Sequence, residues 1–146
     1  MAVKNLITKN FSIFKQNYQH HHIMTSTYHI GLFLLRFTFS AMMLTHGIPK
    51  LLNLIQGTLM KSDPIGIGEI ATTVLVVIAE AICPLLIIIG YKTRLASIPT
   101  IIAMGVAAFI VHGADTLASK EKALLFLFAF VAIALLGPGK HSVDRK

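Results

Sequence analysis

Five ionisable residues fall inside or at the ends of strongly apolar segments, where their presence needs an explanation. Arg36 lies in the first such segment and Glu80 in the second, while His46, Glu69 and His112 lie near segment ends. A charged side chain within a membrane span costs about 2.5–3.5 kcal/mol on insertion scales, so such residues commonly belong to ion pairs, proton relays or ligand sites. Proton transfer or binding of a polar head group within the membrane is therefore the chemistry to consider.

Helical spacing and depth sort these residues into two groups. Glu69 and Glu80 share one face of the second helix. A rise of about 1.5 Å per residue puts Arg36 and Glu80 near the midplane or in the cytoplasmic half, and the other three near the outer surface. We therefore expect an Arg36–Glu80 ion pair, and a separate outer polar group of His46, Glu69 and His112.

Plainer explanations exist for both groups. A structural ion pair that fixes helix register would account for Arg36 and Glu80, and hydrogen bonding at the water interface would account for His46 and His112. Metal binding gains no support, because the candidate ligands lie on different helices, and none is expected. The single cysteine, Cys83, is interpreted as a packing residue.

Pro84 is expected to shape the site around Glu80. It lies four residues after Glu80, so its ring opposes the Glu80 carbonyl and supplies no N–H to it. The sequence predicts a kink here, with a free carbonyl and a carboxylate facing one pocket.

The segments that position these residues dominate the composition. Of 146 residues, 55% are hydrophobic and 13% are charged, against about 25% charged in a soluble domain. This composition excludes a soluble globule and a disordered chain, and one cysteine excludes a disulfide framework. The net charge of +7 is assigned to membrane orientation and anionic lipid, not to nucleic acid.

Four segments are predicted to span the membrane as helices. The first begins near Ile30 and stops or kinks at Pro49, and the others cover about 65–89, 95–111 and 123–136. The last has no polar residue and is expected to face lipid over most of its surface, which leaves the polar interior to the first three. The expected fold is all-α, an integral membrane four-helix bundle.

Two regions are expected along the chain, residues 1–29 and the membrane domain of residues 30–146. Apolar residues at helical spacing, with three lysines and no acid, predict that residues 1–29 form a short amphipathic helix in the cytoplasmic interface. The alternative is a disordered tail. Eight basic residues in the two tails and the second loop, against four elsewhere outside the spans, predict that both termini are cytoplasmic.

Motifs in order along the chain resemble those of a DoxX family membrane protein. They are Arg36 followed by His46-Gly47-Ile48-Pro49-Lys50, Glu80 followed by Gly90-Tyr91-Lys92-Thr93-Arg94, then His112, and the closing GPGKHSVD of residues 137–144. The set covers about residues 31–144. The chain departs from the family pattern after Glu80, where Ala81-Ile82-Cys83-Pro84 replace frequent glycines, and this bears on the packing of the second helix.

The resemblance implies a four-helix bundle in the bacterial cytoplasmic (inner) membrane, linked to quinone-dependent sulfur oxidation or oxidative-stress defence. We expect a membrane subunit of such a redox system with quinone as its cofactor, and leave open whether it is itself an enzyme. Expected partners are the lipid bilayer, a soluble redox enzyme or other membrane subunits, and further copies of the chain, but no nucleic acid. The candidate site residues are Arg36, Glu80, His46 and His112 as catalytic groups, and Lys50 and Glu69 as residues lining a polar cavity.

Two other functions fit the sequence. One is a non-catalytic membrane scaffold that recruits soluble redox enzymes through a basic cytoplasmic face. The other is a small proton-coupled permease, for which intramembrane glutamate and histidine are suited, although four helices leave little room for alternating access and no internal repeat is visible.

Overall fold

Four helices make up the bundle. The computed structural model describes the backbone of residues 2–144 and the side chains of residues 26–144. We label the helices α1 (Ala2–Ile55), α2 (Glu69–Ile89), α3 (Thr93–Val111) and α4 (Leu117–Leu136). No strand occurs in the described backbone, and the predicted all-α fold is confirmed.

Three of these helices are long and apolar enough to cross a membrane, over Ser26–Ile55, Glu69–Ile89 and Thr93–Val111, within the side chains described. The fourth, α4, has 20 residues, three of them charged near its start. Twenty helical residues extend about 30 Å, the thickness of the hydrocarbon core of a bilayer. The chain is therefore a membrane protein with several candidate spans. The helix α4 begins at Leu117, six residues before its predicted start.

Helix α1 differs from the prediction at both ends. It continues past Pro49 to Ile55, so of the two outcomes predicted at Pro49, a stop or a kink, the stop does not occur. Proline is tolerated within membrane helices where neighbouring groups satisfy the freed backbone. The helix also begins at Ala2 and is continuous with the first span. The amphipathic face predicted for residues 1–29 falls mainly on side chains outside the described range and stays a prediction.

The bundle has two ends that we name by their connections. The loop end carries residues 50–69 and 111–122, and the tail end carries residues 26–36, 89–94 and the C-terminal segment 137–144. At the tail end, the N–H groups of Val143 and Asp144 donate to the carbonyls of Ile89 and Gly90 at 3.3 and 2.9 Å. Gly90 adopts φ 78°, the left-handed conformation that ends α2 and is favourable for glycine.

The hydrophobic core draws on all four helices. Phe126, Phe130 and Ile133 of α4 are buried, and the two aromatic rings stack with centroids 6.4 Å apart. These residues lie on one face of α4, while Leu125, Phe128 and Leu135 are exposed, so lipid contact over most of the α4 surface stays a prediction. The remaining core residues are Met43, Cys83, Ile87, Ala96 and Met104.

Candidate functional site

Glu80 forms an ion pair with Lys50, not with Arg36. The Lys50 Nζ lies 2.6 Å from Glu80 Oε2, and the glutamate side chain is 7% exposed while the lysine side chain is 31% exposed. The predicted Arg36–Glu80 pair is wrong. Because α1 continues through Pro49, Lys50 lies within the helix and reaches the level of Glu80.

Arg36 lies at the tail end of the bundle, away from Glu80. Its Nη2 donates to the His141 carbonyl at 2.5 Å, and Asp144 is close enough to attract it electrostatically. The side chain is fully buried, and its Nε and Nη1 have no hydrogen-bond partner among residues 26–144. The depth argument failed because Glu80 packs beside Gly47, eleven residues along α1 from Arg36 and therefore about 16 Å further along its axis.

Close approach of α1 and α2 holds Glu80 in place. A Cβ at Gly47 would overlap the backbone carbonyl of Glu80, so only glycine permits this spacing between the two helices. Gly47 lies three residues before Lys50, one turn away on the same face of α1. The contact between backbones therefore brings the lysine within reach of the carboxylate.

Glu80 occupies the centre of a π-helical turn, Ile78–Ile82, within α2. The Cys83 N–H bonds to the Ile78 carbonyl, and Pro84 has no N–H to donate. The Ala79 carbonyl consequently lacks the usual helical donor, and the Thr100 hydroxyl of α3 donates to it at 2.6 Å. The sequence predicted a freed carbonyl at Glu80, whereas the structure shows the compensating bond at Ala79.

A cavity of about 370 Å³ surrounds the ion pair at the loop end, which we call the polar cavity. It contains both histidines that were predicted to lie near the outer ends of the first and third spans. It also contains residues of α4, which was predicted to contribute nothing to the polar interior. The lining comprises Met43, His46, Lys50, Glu80, Met104, Ala107, His112, Ser119, Lys122, Ala123 and Phe126.

The two histidines differ in their contacts. His112 Nδ1 lies 2.8 Å from Asp115 Oδ2, so a neutral ring that donates from Nδ1 presents Nε2 as an acceptor. His46 is exposed and packs edge-to-face on Phe126, with ring centroids 6.0 Å apart. Glu69, predicted to join them, is exposed and lines neither loop-end cavity.

A second, largely apolar cavity of about 620 Å³ adjoins the first, and we call it the apolar cavity. Lys50, Glu80, Ala107 and His112 line both cavities. Its other walls come from α2, α3 and the α1–α2 loop, and include Met60, Pro64, Ile65, Leu75, Val76, Pro99, Ile102 and Val106. The ion pair and His112 therefore form the polar boundary of an apolar chamber.

The sequence did not identify the residues that complete this site. Asp115 follows His112 by three residues, a spacing that could have suggested the contact. Ser119 and Lys122 at the start of α4 carried no signal, because their segment was assigned to a loop. Within residues 26–144, no group of three or more histidine, cysteine or acidic side chains is arranged to hold a metal ion.

Comparison with known proteins identifies a family. The family model that matches is DoxX, over residues 31–113, which is more than half of the chain and includes Arg36, His46, Lys50, Glu80 and His112. No curated protein and no solved structure matches the chain.

Proposed function

Because the chain belongs to the DoxX family, we propose that it is a membrane subunit of a redox or oxidative-stress defence system and binds a quinone at the loop end. The observation that carries this proposal is the position of the Lys50–Glu80 pair, where the polar cavity meets the apolar cavity. Ligand sites in proteins are commonly apolar chambers of about 300–1,000 Å³ with a few polar groups that fix orientation. The loop-end cavities have this character.

The residues present fit a quinone. Its ring and tail require apolar walls, which the apolar cavity supplies, and its carbonyl oxygens require donors. Lys50 Nζ has three protons, of which the bond to Glu80 uses one. Lys50 would therefore hold one carbonyl oxygen, and His46 in the lining of the same polar cavity offers a second donor.

A bound quinone would supply reversible transfer of two electrons and two protons. Glu80, buried and adjacent to Lys50, would hold or release one proton at a carboxylate oxygen. His112 would accept or donate the other at Nε2, with Asp115 fixing the ring through Nδ1. Cys83 is the single cysteine in the sequence and cannot cycle through an intrachain disulfide, so we assign the electron donor to a partner enzyme.

The deciding experiment measures quinone binding to the purified full-length chain in lipid nanodiscs, using decylubiquinone and a short-chain menaquinone as probes. Lys50→Met removes a charged donor, and a hydrogen bond to a charged group contributes about 1.5–3 kcal/mol, so the dissociation constant should rise roughly 10- to 150-fold. Lys61→Met, in the exposed α1–α2 loop, is the matched control and should bind normally. Equal affinities in the two variants would refute the site.

Turnover separates proton transfer from binding. With the partner enzyme present, Glu80→Gln should retain quinone and lose activity, and His46→Ala and His112→Ala should each lose activity at normal expression. Glu69→Gln, exposed outside both cavities, should behave as the wild type. A wild-type chain that retains its partner enzyme but binds no quinone would instead establish the scaffold function.

Orientation is part of the proposal. Both termini, and hence the tail end, are assigned to the cytoplasm of a bacterial cell, with the loop end outside. Reporter fusions after Lys61 and Ser119 should give an outer-side signal, and a fusion after Arg94 an inner-side signal. An outer-side signal at Arg94 would overturn this topology.

A further inference from the structure

A third cavity, of about 670 Å³, lies at the tail end, remote from the loop-end cavities. We call it the tail-end cavity. Its polar side chains come from α1, the turn before α3, the first turn of α3 and the C-terminal segment. They are His29, Lys92, Thr93, Arg94 and Asp144. Its remaining walls are mainly apolar, formed by Tyr28, Leu32, Leu95, Leu136, Pro138 and Val143.

The charges around this cavity leave a positive excess. Asp144 is the one acidic residue in the lining, and the Arg36 guanidinium behind it supplies an opposing charge. Neither Lys92 nor Arg94 has a carboxylate of residues 26–144 within ion-pair distance. Lys92 Nζ lies over the Tyr91 ring at 5.8 Å and Arg94 Nη2 donates to the Leu135 carbonyl at 3.4 Å, so neither positive charge has an ion-pair partner in the described part of the chain.

Unused hydrogen-bonding capacity points in the same direction. The Thr93 side chain is fully buried, and its hydroxyl has no partner among the described residues. Thr93 is the first residue of α3, so the free N–H groups and the positive end of the helix dipole lie at this cavity. Asp144 Oδ2 already accepts the Thr93 N–H at 3.0 Å, which shows that the helix start attracts an anionic oxygen here.

The apolar walls continue onto the membrane-facing surface. Leu95 and Leu136 line the cavity and are 62% and 46% exposed, so hydrocarbon chains held in the cavity could extend along α3 and α4. A free anion would gain nothing from these walls. A phosphate group attached to acyl chains would use both parts of the lining.

We propose that the tail-end cavity binds an anionic phospholipid, with its phosphate held by Lys92, Arg94 and the Thr93 hydroxyl and its acyl chains against Leu95 and Leu136. This site does not depend on the function proposed for the loop end. It assigns a ligand to a basic pocket between membrane helices, a setting that suits lipid head groups.

The test uses the purified full-length chain and native mass spectrometry with phosphatidylglycerol, phosphatidylcholine or inorganic phosphate. Wild type should retain phosphatidylglycerol in preference to phosphatidylcholine. A basic residue near anionic lipid contributes about 1 kcal/mol, so Lys92→Gln should weaken retention about 5-fold, and Lys92→Gln with Arg94→Gln about 30-fold. Thr93→Val, which keeps the backbone N–H, should weaken retention without changing any charge.

Lys140→Gln is the matched control, since Lys140 is exposed at the same end but outside the cavity lining. It should retain phosphatidylglycerol as the wild type does. Equal losses in Lys92→Gln and Lys140→Gln, or equal retention of the two lipids by the wild type, would overturn the proposal. Retention of inorganic phosphate without phosphatidylglycerol would also overturn it, because the ligand would then be a free anion.

Discussion

Lys50 and Glu80, thirty residues apart in the sequence, form an ion pair between α1 and α2 with Nζ 2.6 Å from Oε2. Each partner occupies an irregular point in its helix, since Lys50 follows a proline inside α1 and Glu80 lies in a π-helical turn of α2. The carboxylate is nearly buried and the lysine is one-third exposed. Glu80 is thus held in the protein interior, while Lys50 is accessible from the cavity.

The pair should contribute measurably to stability. Lys50→Met leaves the Glu80 carboxylate buried without its partner. The loss in free energy of unfolding should lie between the ~1 kcal/mol of an exposed pair and the ~3–5 kcal/mol of a buried pair. Lys50→Met combined with Glu80→Gln should recover much of that loss. Thermal unfolding in detergent, with Lys61→Met as the control, measures this. A double variant less stable than either single variant would contradict the pairing.

Gly47→Ala should be strongly destabilising. The added Cβ would overlap the Glu80 carbonyl, which is backbone and can move only with α2, so the cost should reach about 3 kcal/mol or more. Gly31→Ala is the control within α1, because a Cβ there meets no atom within 4 Å, and it should gain up to about 1 kcal/mol in helix propensity. Similar unfolding temperatures for both variants would mean that the helices are not in close contact at Gly47.

Thr100→Val should lower the stability of the protein, because Thr100 satisfies a carbonyl in the irregular turn of α2. It removes the donor to the Ala79 carbonyl, and an unsatisfied buried carbonyl costs about 1–3 kcal/mol. Thr38→Val, on an exposed position of α1, should change stability by less than about 0.5 kcal/mol.

A double-mutant cycle with Pro84→Ala tests the cause. The regained N–H of residue 84 can donate to the Ala79 carbonyl in the same i→i−5 pattern as the bond from Cys83 to Ile78. Thr100→Val should then cost less in the Pro84→Ala background than in the wild type. An unchanged cost would show that the proline is not the reason for the Thr100 bond.

Asp63 should make the start of α2 sensitive to acid. Its carboxylate accepts the Thr72 hydroxyl at 2.8 Å and the Gly68 N–H at 2.6 Å, and these bonds hold the pKa of Asp63 below its usual value. A lowered folded pKa contributes stability that is fully present above the unfolded value, about 3.9, and is lost as the pH falls through the folded pKa.

Unfolding temperatures from pH 7 to pH 3 check this prediction. The advantage of the wild type over Asp63→Ala should be constant above about pH 5 and should shrink below about pH 4. An advantage that grows on acidification would have the wrong sign.

The family and the all-α membrane fold could be predicted from the sequence, because hydropathy and an ordered motif set both depend on residue type alone. The pairing of charges could not. The Arg36–Glu80 pair was predicted from similar depth in the membrane, but depth does not show which residue of α1 packs against α2, and the contact at Gly47 brings Glu80 to Lys50. The contribution of α4 was missed for another reason: Phe126 and Phe130 are apolar toward lipid and core alike, so only the packing shows which they face.

The residues of the loop-end cavities were predicted in part. His46, Glu80 and His112 were identified because ionisable groups are conspicuous in apolar segments, and Lys50 because it belongs to the family motif; the structure places all four around one cavity. Arg36 was paired with Glu80 by depth and lies at the other end of the bundle. Their roles stay predictions until quinone binding and turnover are measured.

The two π-helical turns, Ile78–Ile82 and Ala107–Val111, are the places where α2 and α3 can lose one residue and remain helical. A π-helical turn contains one more residue than the α-helical turn it replaces, so removing one residue there yields a regular helix and leaves the residues after it on the faces they already occupy. Deleting Ala79 would therefore leave α2 helical with Ile87 still facing the core, whereas a deletion in a regular part of the helix would rotate the residues after it by about 100°.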